Sequence, residues 1–189
     1  MPMSSLLSGI QRKPGIKRFV NSAYVYGLNL LHLLLDLLPW FIRNGVWRLL
    51  LEKCGRRVFI DHKVYFKYPW LVSIGSDVSV NRGVEFYCSI FDRTRIIIGD
   101  GVGIAPNVRF HSAGHDPDHA EFMDNGADIV VEDGVWIGAS AIILQGVRIG
   151  RGAVIAAGSV VTRDIPADCI AGGTPARVLR QRRRPGDAG

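Results

Sequence analysis

Three histidines, His111, His115 and His119, fall at intervals of four in the stretch 110–120, FHSAGHDPDHA. An imidazole can ligate a metal, or it can take a proton near neutral pH, because its ordinary pKa is about 6.5. On a helix, four-residue spacing would bring all three rings onto one face, where ligands converge. Gly114 and Pro117 rule out a continuous helix there. The metal reading thereby loses its geometric basis, and two readings remain: acid–base chemistry by one of the rings, or incidental polar groups of a loop. Cys54, Cys88 and Cys169 contain no CxxC pair. Neither a disulfide framework nor a zinc site is expected, which fits a reducing compartment.

What must position these histidines is a six-residue beat. The stretch VEDGVWIGASAIILQGVRIGRGAVIAAGSVVTRDIP starts hexads at Val131, Ile137, Ile143, Ile149, Ile155 and Val161, each β-branched. The fifth positions, Val135, Ala141, Val147, Ala153, Ser159 and Ile165, are small or aliphatic. The same beat runs earlier from Ile74, Val80 and Phe86, then from Ile98, Ile104 and Phe110, with an excursion near FDRTR where Asp92 spoils a start. A period of six fits neither a helix nor an alternating hairpin sheet, and is the mark of a parallel β-helix. First and fifth side chains should point inward and stack in ladders, with Gly138 and Gly150 relieving crowding at corners. The interval from Phe110 to Val131 is not a multiple of six, so an inserted loop is expected over 111–130. Loops ejected from stiff scaffolds carry function.

The chain of 189 residues, 48% hydrophobic, is long enough for one domain and an appendage. The first third differs from the rest. Residues 20–51 are rich in leucine, which favours helix. Asn29, His32 and Asp36 share one face, and Pro39 should end the first helix before a second, shorter one with Gly55 near its stop. The run is interrupted too often for a membrane span. An amphipathic pair that packs on the main domain or rests on a membrane surface is expected, flanked by Lys13, Lys17, Arg18 and Arg43. No cleavable leader is expected. The domain expectation is a helical segment over 1–56, a β-helix over 57–176 and a basic tail over 177–189. The net charge of +6 gathers partly in that tail, at Arg177, Arg180, Arg182, Arg183 and Arg184. Such a tail suits a phosphorylated cofactor or an acidic membrane face, or is simply solvated. No nucleic-acid-binding signature accompanies it.

Residues 72–180 resemble the hexapeptide-repeat acyltransferases, whose chains coil into a left-handed parallel β-helix with three hexads per turn. The segments IGDGVGIAPNVRFHSAGHD, VEDGVWIGASAIILQGVRIG and GSVVTRDIPADCIAGGTPARVLR carry the resemblance. They are most similar to the galactoside, maltose and capsular-polysaccharide O-acetyltransferases. The N-terminal helices resemble, more loosely, those of a bacterial subgroup associated with surface-glycan modification.

The resemblance implies a mainly β fold, a homotrimer, and acetyl-CoA as co-substrate in a groove between neighbouring β-helices, with no metal. It implies direct acetyl transfer to a hydroxyl of a sugar or glycan, with His115 as general base. Trp136 matches a position packing on coenzyme A, and Ala139 and Ala157 match positions beside the pantetheine arm. Thr162, Arg163, Arg177 and Arg180 match residues near the nucleotide and its phosphates, where the arginine fork suits phosphate oxygens. Glu85 departs from the asparagine of the galactoside and maltose enzymes. An ionised glutamate only accepts hydrogen bonds, so it would orient the imidazole or pair with a cationic acceptor such as an amino sugar. Tyr87, Asp92 and His111 are expected on the acceptor side. A cytoplasmic protein, associated with the inner face of the membrane through its first helices, is the matching location. Three competing readings stay open at this point: N-acetyl transfer to an amino sugar, a metal lyase like the γ-type carbonic anhydrases, and a non-enzymatic scaffold docked to a membrane.

Overall fold

The computed structural model describes residues 14–115 and 125–183, with side chains from Phe19 onward, in two units, residues 1–38 and 39–189. His119 and Arg184 lie outside the described residues. The first unit is helix α1 (Pro14–Asp36). Its leucines set the helix, and the His32 Nδ1 bonds the Leu28 carbonyl at 2.8 Å. Among the described residues no helix is long and apolar enough to cross a membrane.

The second unit opens with helix α2 (Trp40–Leu50), with Pro39 in an extended conformation directly before it. The helix stops short of Gly55, because Lys53–Cys54 already forms the first strand of the coil. Thereafter the chain winds through three parallel sheets, the left-handed β-helix. The first face holds Lys53–Cys54, Val72–Ile74, Ile96–Ile98, Ile129–Val131 and Arg148–Ile149. The second holds Phe59–Ile60, Ser79–Val80, Gly103–Ile104, Trp136–Ile137 and Val154–Ile155, then Cys169–Gly173 and Ala176–Gln181. The third holds Tyr65–Phe66, Glu85–Tyr87, Arg109–His111, Ile142–Leu144 and Val160–Val161.

Register explains the six-residue beat. Val131 stacks on Ile149, Ile137 on Ile155 and Ile143 on Val161, three hexads apart. The first-position side chains from Ile74 to Val161 are all buried, as are the fifth positions from Val135 to Ile165. Fully burying one such aliphatic side chain stabilises by about 1.5–3 kcal/mol. At the third corner the ladder is aromatic. Phe66 and Phe86 stack with ring centroids 4.7 Å apart, and Phe86 and Phe110 at 5.0 Å. These spacings match the separation of neighbouring strands. Gly138 and Gly150 relieve crowding rather than supply unusual angles: a Cβ on either would lie 2.5 Å from the backbone nitrogen of Ala157 or Ala167.

Helix α2 caps the open first coil. Among the described residues no coil lies above it to take its carbonyls, and Asn44 Nδ2 donates to Val58 O (3.1 Å) and Arg43 Nη2 to Ile60 O (3.1 Å). Trp47 covers Phe66 at 4.9 Å. Arg43, expected among the basic residues flanking an interfacial helix pair, is instead 1% exposed and bonds His62 Nδ1 at 2.9 Å. The opposite end closes with a strand. Ala176–Gln181 runs antiparallel to Cys169–Gly173, so Arg177 and Arg180 stand on the sheet rather than in a tail.

Candidate active site

Strand alternation sends every second residue of the third face outward. Lys67, Tyr87, His111, Leu144 and Thr162 each follow a buried ladder residue directly, and they form one outward column. Tyr87 registers with His111 and His111 with Leu144. Beside it runs a second column, Tyr65, Glu85, Arg109, Ile142 and Val160.

The columns are tied together at their upper ends. Arg109 Nε lies 3.1 Å from Glu85 Oε2. Burial, then the Glu85 charge and a hydrogen bond to it, push the Tyr87 phenol up to about 12, so Tyr87 remains a hydroxyl donor. His111 stacks flat on Tyr87, centroids 5.0 Å apart and planes 7° off parallel. Burial holds the His111 pKa below its ordinary value, against the raising pull of Glu85. A neutral, stacked imidazole makes a wall.

His115 stands just past the neck of the inserted loop. Ser112 N and Ala113 N both donate to Tyr87 O, at 3.0 and 3.3 Å. The returning leg closes the neck through Ala127 N to Ser112 O (3.0 Å) and Asn125 N to Gly114 O (2.9 Å). The excursion around Asp92 braces it from the side. Ser89 Oγ donates to Asp92 Oδ2 (3.0 Å), Ser89 N donates to Thr94 Oγ1 (2.8 Å), and Thr94 Oγ1 lies 2.9 Å from the buried Ser112 Oγ. Asp92 therefore belongs to a turn that supports the neck.

Two hollows meet at Ala113–Gly114–His115. The larger, about 560 Å³, is walled by His111, Ile142, Leu144, Gln145 and Thr162, a volume on the scale of pockets that take a sizeable ligand. The smaller, about 180 Å³, is walled by Lys67, Tyr68, Cys88 and Phe91. His115 thus borders both. The Cys88 thiol is 1% exposed, and burial pushes it up to about 12, so it offers no thiolate at neutral pH.

The remaining expected residues lie elsewhere on the prism. Trp136 is on the second face, 48% exposed. Its indole lies over Gly103, where a Cβ would come 2.5 Å from a ring atom. Trp136, Val154, Ile170 and Arg180 form one outward column there. With three strand steps between them, the backbones of Trp136 and Arg180 are about 14 Å apart along the sheet. Arg177 is exposed on the same terminal strand. Ala139 and Ala157 occupy stacked corners between the second and third faces, joined by Gly158 N to Ala139 O at 2.8 Å. Arg163 is exposed next to Thr162. Within one chain, therefore, His111, His115 and Thr162 come together, while Trp136 and Arg180 do not join them. Lys67, Arg109, Cys88, Phe91 and Gln145 escaped the sequence reading, although for Lys67 the signal existed: it follows Phe66 as Tyr87 follows Phe86.

Comparison with known proteins agrees with this architecture. The family described as bacterial transferase hexapeptide (six repeats) matches residues 128–163. Galactoside O-acetyltransferase of Escherichia coli (strain K12) is 38% identical over 143 residues, 74% of this chain and 68% of that protein. A hexapeptide-repeat acetyltransferase of Vibrio cholerae, solved in complex with acetyl-coenzyme A, superposes with a TM-score of 0.74 at 33% identity, covering 86% and 91% of the two chains. A maltose O-acetyltransferase from Clostridium difficile 630 gives a TM-score of 0.77 at 30% identity, covering 87% and 89%. The fold and these similarities define an acetyl-CoA-dependent acyltransferase. This chain belongs to the hexapeptide-repeat acetyltransferase family, and that membership displaces the lyase and scaffold readings. Among the described residues no group of three His, Cys, Asp or Glu side chains is placed to hold a metal ion.

Proposed function

We propose that the protein acetylates a hydroxyl of a sugar or glycan, with His115 as general base. The observation that carries this is the position of His115 at the junction of two hollows, one sized for a thioester arm and one for an acceptor ring. Acetyl-CoA supplies the activated acyl group. The His115 imidazole takes the proton of the acceptor hydroxyl as its oxygen attacks the thioester carbonyl. It then returns that proton to the departing sulfur, which leaves an ester and free coenzyme A. No acyl-enzyme is needed, and the protonated, buried Cys88 is not suited to form one.

The larger hollow fits the cofactor arm: its walls are apolar at Ile142 and Leu144, with a hydroxyl at Thr162. On the second face and its corner, Trp136, Ala139, Ala157 and Arg180 form the surface that would take the rest of the cofactor, with Arg163 and Arg177 as the phosphate-side cations. Since the indole and His115 lie on different faces, one chain does not complete the site. We infer a homotrimer whose neighbouring prisms bring the second face of one subunit to the third face of the next, a head-to-tail interface that closes into a ring. Helix α1 exposes Phe19, Tyr26 and Leu33, and α2 exposes Trp40, Phe41 and Leu49. Exposed apolar side chains on each of these helices, taken by itself, support peripheral contact with the inner face of the membrane by a cytoplasmic enzyme. Arg43, being buried, takes no part in it.

The discriminating experiment is acetyl-CoA-dependent thiol release with sugar hydroxyl acceptors, the product ester identified by its acetyl resonance. No release with any acceptor, or amide as sole product, would overturn the reading. Glu85 is satisfied by Arg109 and Tyr87, which removes its motive for attracting a cationic amino sugar. We assign it to holding the Tyr87–His111 stack, whose imidazole walls the larger hollow. Glu85→Gln is expected to raise the acetyl-CoA KM by less than about tenfold with kcat retained, because a half-exposed ion pair carries roughly 0–1 kcal/mol. A loss of kcat comparable to that of a His115 variant would instead give the carboxylate a part in proton transfer.

Gly103 tests the cofactor end. Gly103→Val pushes a side chain into the indole and lifts it off the strand, so the KM for acetyl-CoA should rise about tenfold. Steady-state kinetics in acetyl-CoA decide this. An unchanged KM would free Trp136 of the cofactor role.

A further inference from the structure

We propose that Gln145 is the oxyanion donor of the acetyl transfer, its carboxamide N–H bonding the thioester carbonyl oxygen as His115 deprotonates the acceptor hydroxyl. The inference rests on the acetyl-transfer reading above and adds a catalytic residue to the same site. Gln145 walls the larger hollow together with Gly114 and His115. Its carboxamide packs against Gly114, the residue directly before the base. A Cβ at Gly114 would lie 2.5 Å from Gln145 Cδ and 2.8 Å from Nε2. The bare glycine is thus what admits the carboxamide beside His115.

The corner that carries Gln145 is tied to the neck that carries His115. Gly146 N donates to Ala127 O (3.4 Å), and Ala127 N donates to Ser112 O (3.0 Å). The Gln145 side chain is half-buried, and its carboxamide makes no hydrogen bond among the described residues. Its N–H groups are therefore open to a ligand in the hollow. Of the other donors on this wall besides His115, Thr162 stands one coil beyond Leu144, and the His111 ring lies flat on Tyr87. In the transfer the acceptor oxygen bonds to the thioester carbon, and the C=O π pair moves onto the carbonyl oxygen. That oxyanion returns its pair to carbon as the C–S bond breaks, and the thiolate takes the proton held by His115. The Gln145 N–H stays on nitrogen throughout. Its hydrogen bond strengthens while the charge is on oxygen, which lowers the barrier rather than tightening ground-state binding.

The test combines kinetics and infrared spectroscopy on the full-length protein. Gln145→Leu should lower kcat for thiol release by about 10²-fold, with the acetyl-CoA KM within about threefold and the melting midpoint unchanged. Gln145→Glu, of the same shape without the N–H, should fall at least as far. The hydrogen bond itself is read with a ketone analogue of acetyl-CoA, labelled with carbon-13 at the carbonyl, in which methylene replaces the thioester sulfur. Its C=O stretch should lie at lower frequency on the unmodified protein than on Gln145→Leu. A kcat loss below about tenfold in both variants, or one stretching frequency on both proteins, would overturn the assignment. Failure of the unmodified protein to release thiol would overturn the acetyl-transfer reading, whereas variants that match an active parent would remove only the role of Gln145.

Discussion

Replacing His115 with alanine is expected to lower kcat by roughly 10²–10⁴-fold while leaving the thermal unfolding midpoint unchanged. Its side chain is exposed and belongs to no ladder. The backbone on which it stands is held from both sides, by Tyr87 O at the neck and by Asn125 on the returning leg. Removing the ring therefore removes the base while leaving that backbone in place. The acetyl-CoA KM should move by less than about threefold, because an interaction made only in the transition state lowers kcat and kcat/KM together. Steady-state thiol release, read beside a melting curve, separates this outcome from a folding defect. A variant that turned over at the normal rate would end the assignment of His115.

The largest stability effect is expected at Phe86. Its ring lies between those of Phe66 and Phe110, nearly parallel to both, and is fully buried. Phe86→Ala opens a cavity that neither neighbour can fill without leaving its own coil, so a loss of about 3–5 kcal/mol is expected. In a stacked-coil fold each coil interacts mainly with the coils directly above and below it, so the damage centres on the coils that position Tyr87 and His111. Denaturant unfolding measures the loss. A cost below about 1 kcal/mol would mean that the ladder closes over the gap, against the rigidity on which the site's geometry depends.

The legible parts of this fold are those where the chain repeats without interruption. From Val131 to Ile165 each coil has three equal sides, so each hexad start could be read as a stacked partner, and the register confirms Val131 on Ile149 and Ile137 on Ile155. The first coil was not legible. Cys54, Ile60 and Phe66 keep the beat, but the short helical turn Pro69–Leu71 delays the next ladder residue to Ile74, which breaks the period where the repeat begins. Arg43 was misread for a related reason. A basic residue on a leucine-rich helix resembles an interfacial anchor until the open carbonyls of Val58 and Ile60 that α2 must cap are seen.

At the site, the loop and its histidines could be found because an inserted segment interrupts a strict period. The Glu85–Arg109 pair and the Tyr87–His111 stack could not, because each joins residues one coil apart that only the register of a lengthened coil brings face to face. The position of Trp136 on another face follows from hexad counting alone. Its proposed service to a site beside His115 needs a second chain, which a single sequence does not display.

Complementation between two damaged chains tests the shared site most directly. His115→Ala lacks the proposed base, and Trp136→Ala lacks the indole proposed to seat the cofactor, so each alone should be nearly inactive at low acetyl-CoA. Co-assembled in equal amounts, they should recover activity, to about a quarter of the normal rate by random assortment around a three-fold ring. The recovered sites are those that pair an intact His115 from one subunit with an intact Trp136 from its neighbour. A mixture no more active than the sum of its parts would contradict the account, because it would place the imidazole and the indole in the same chain's site or in no common site at all.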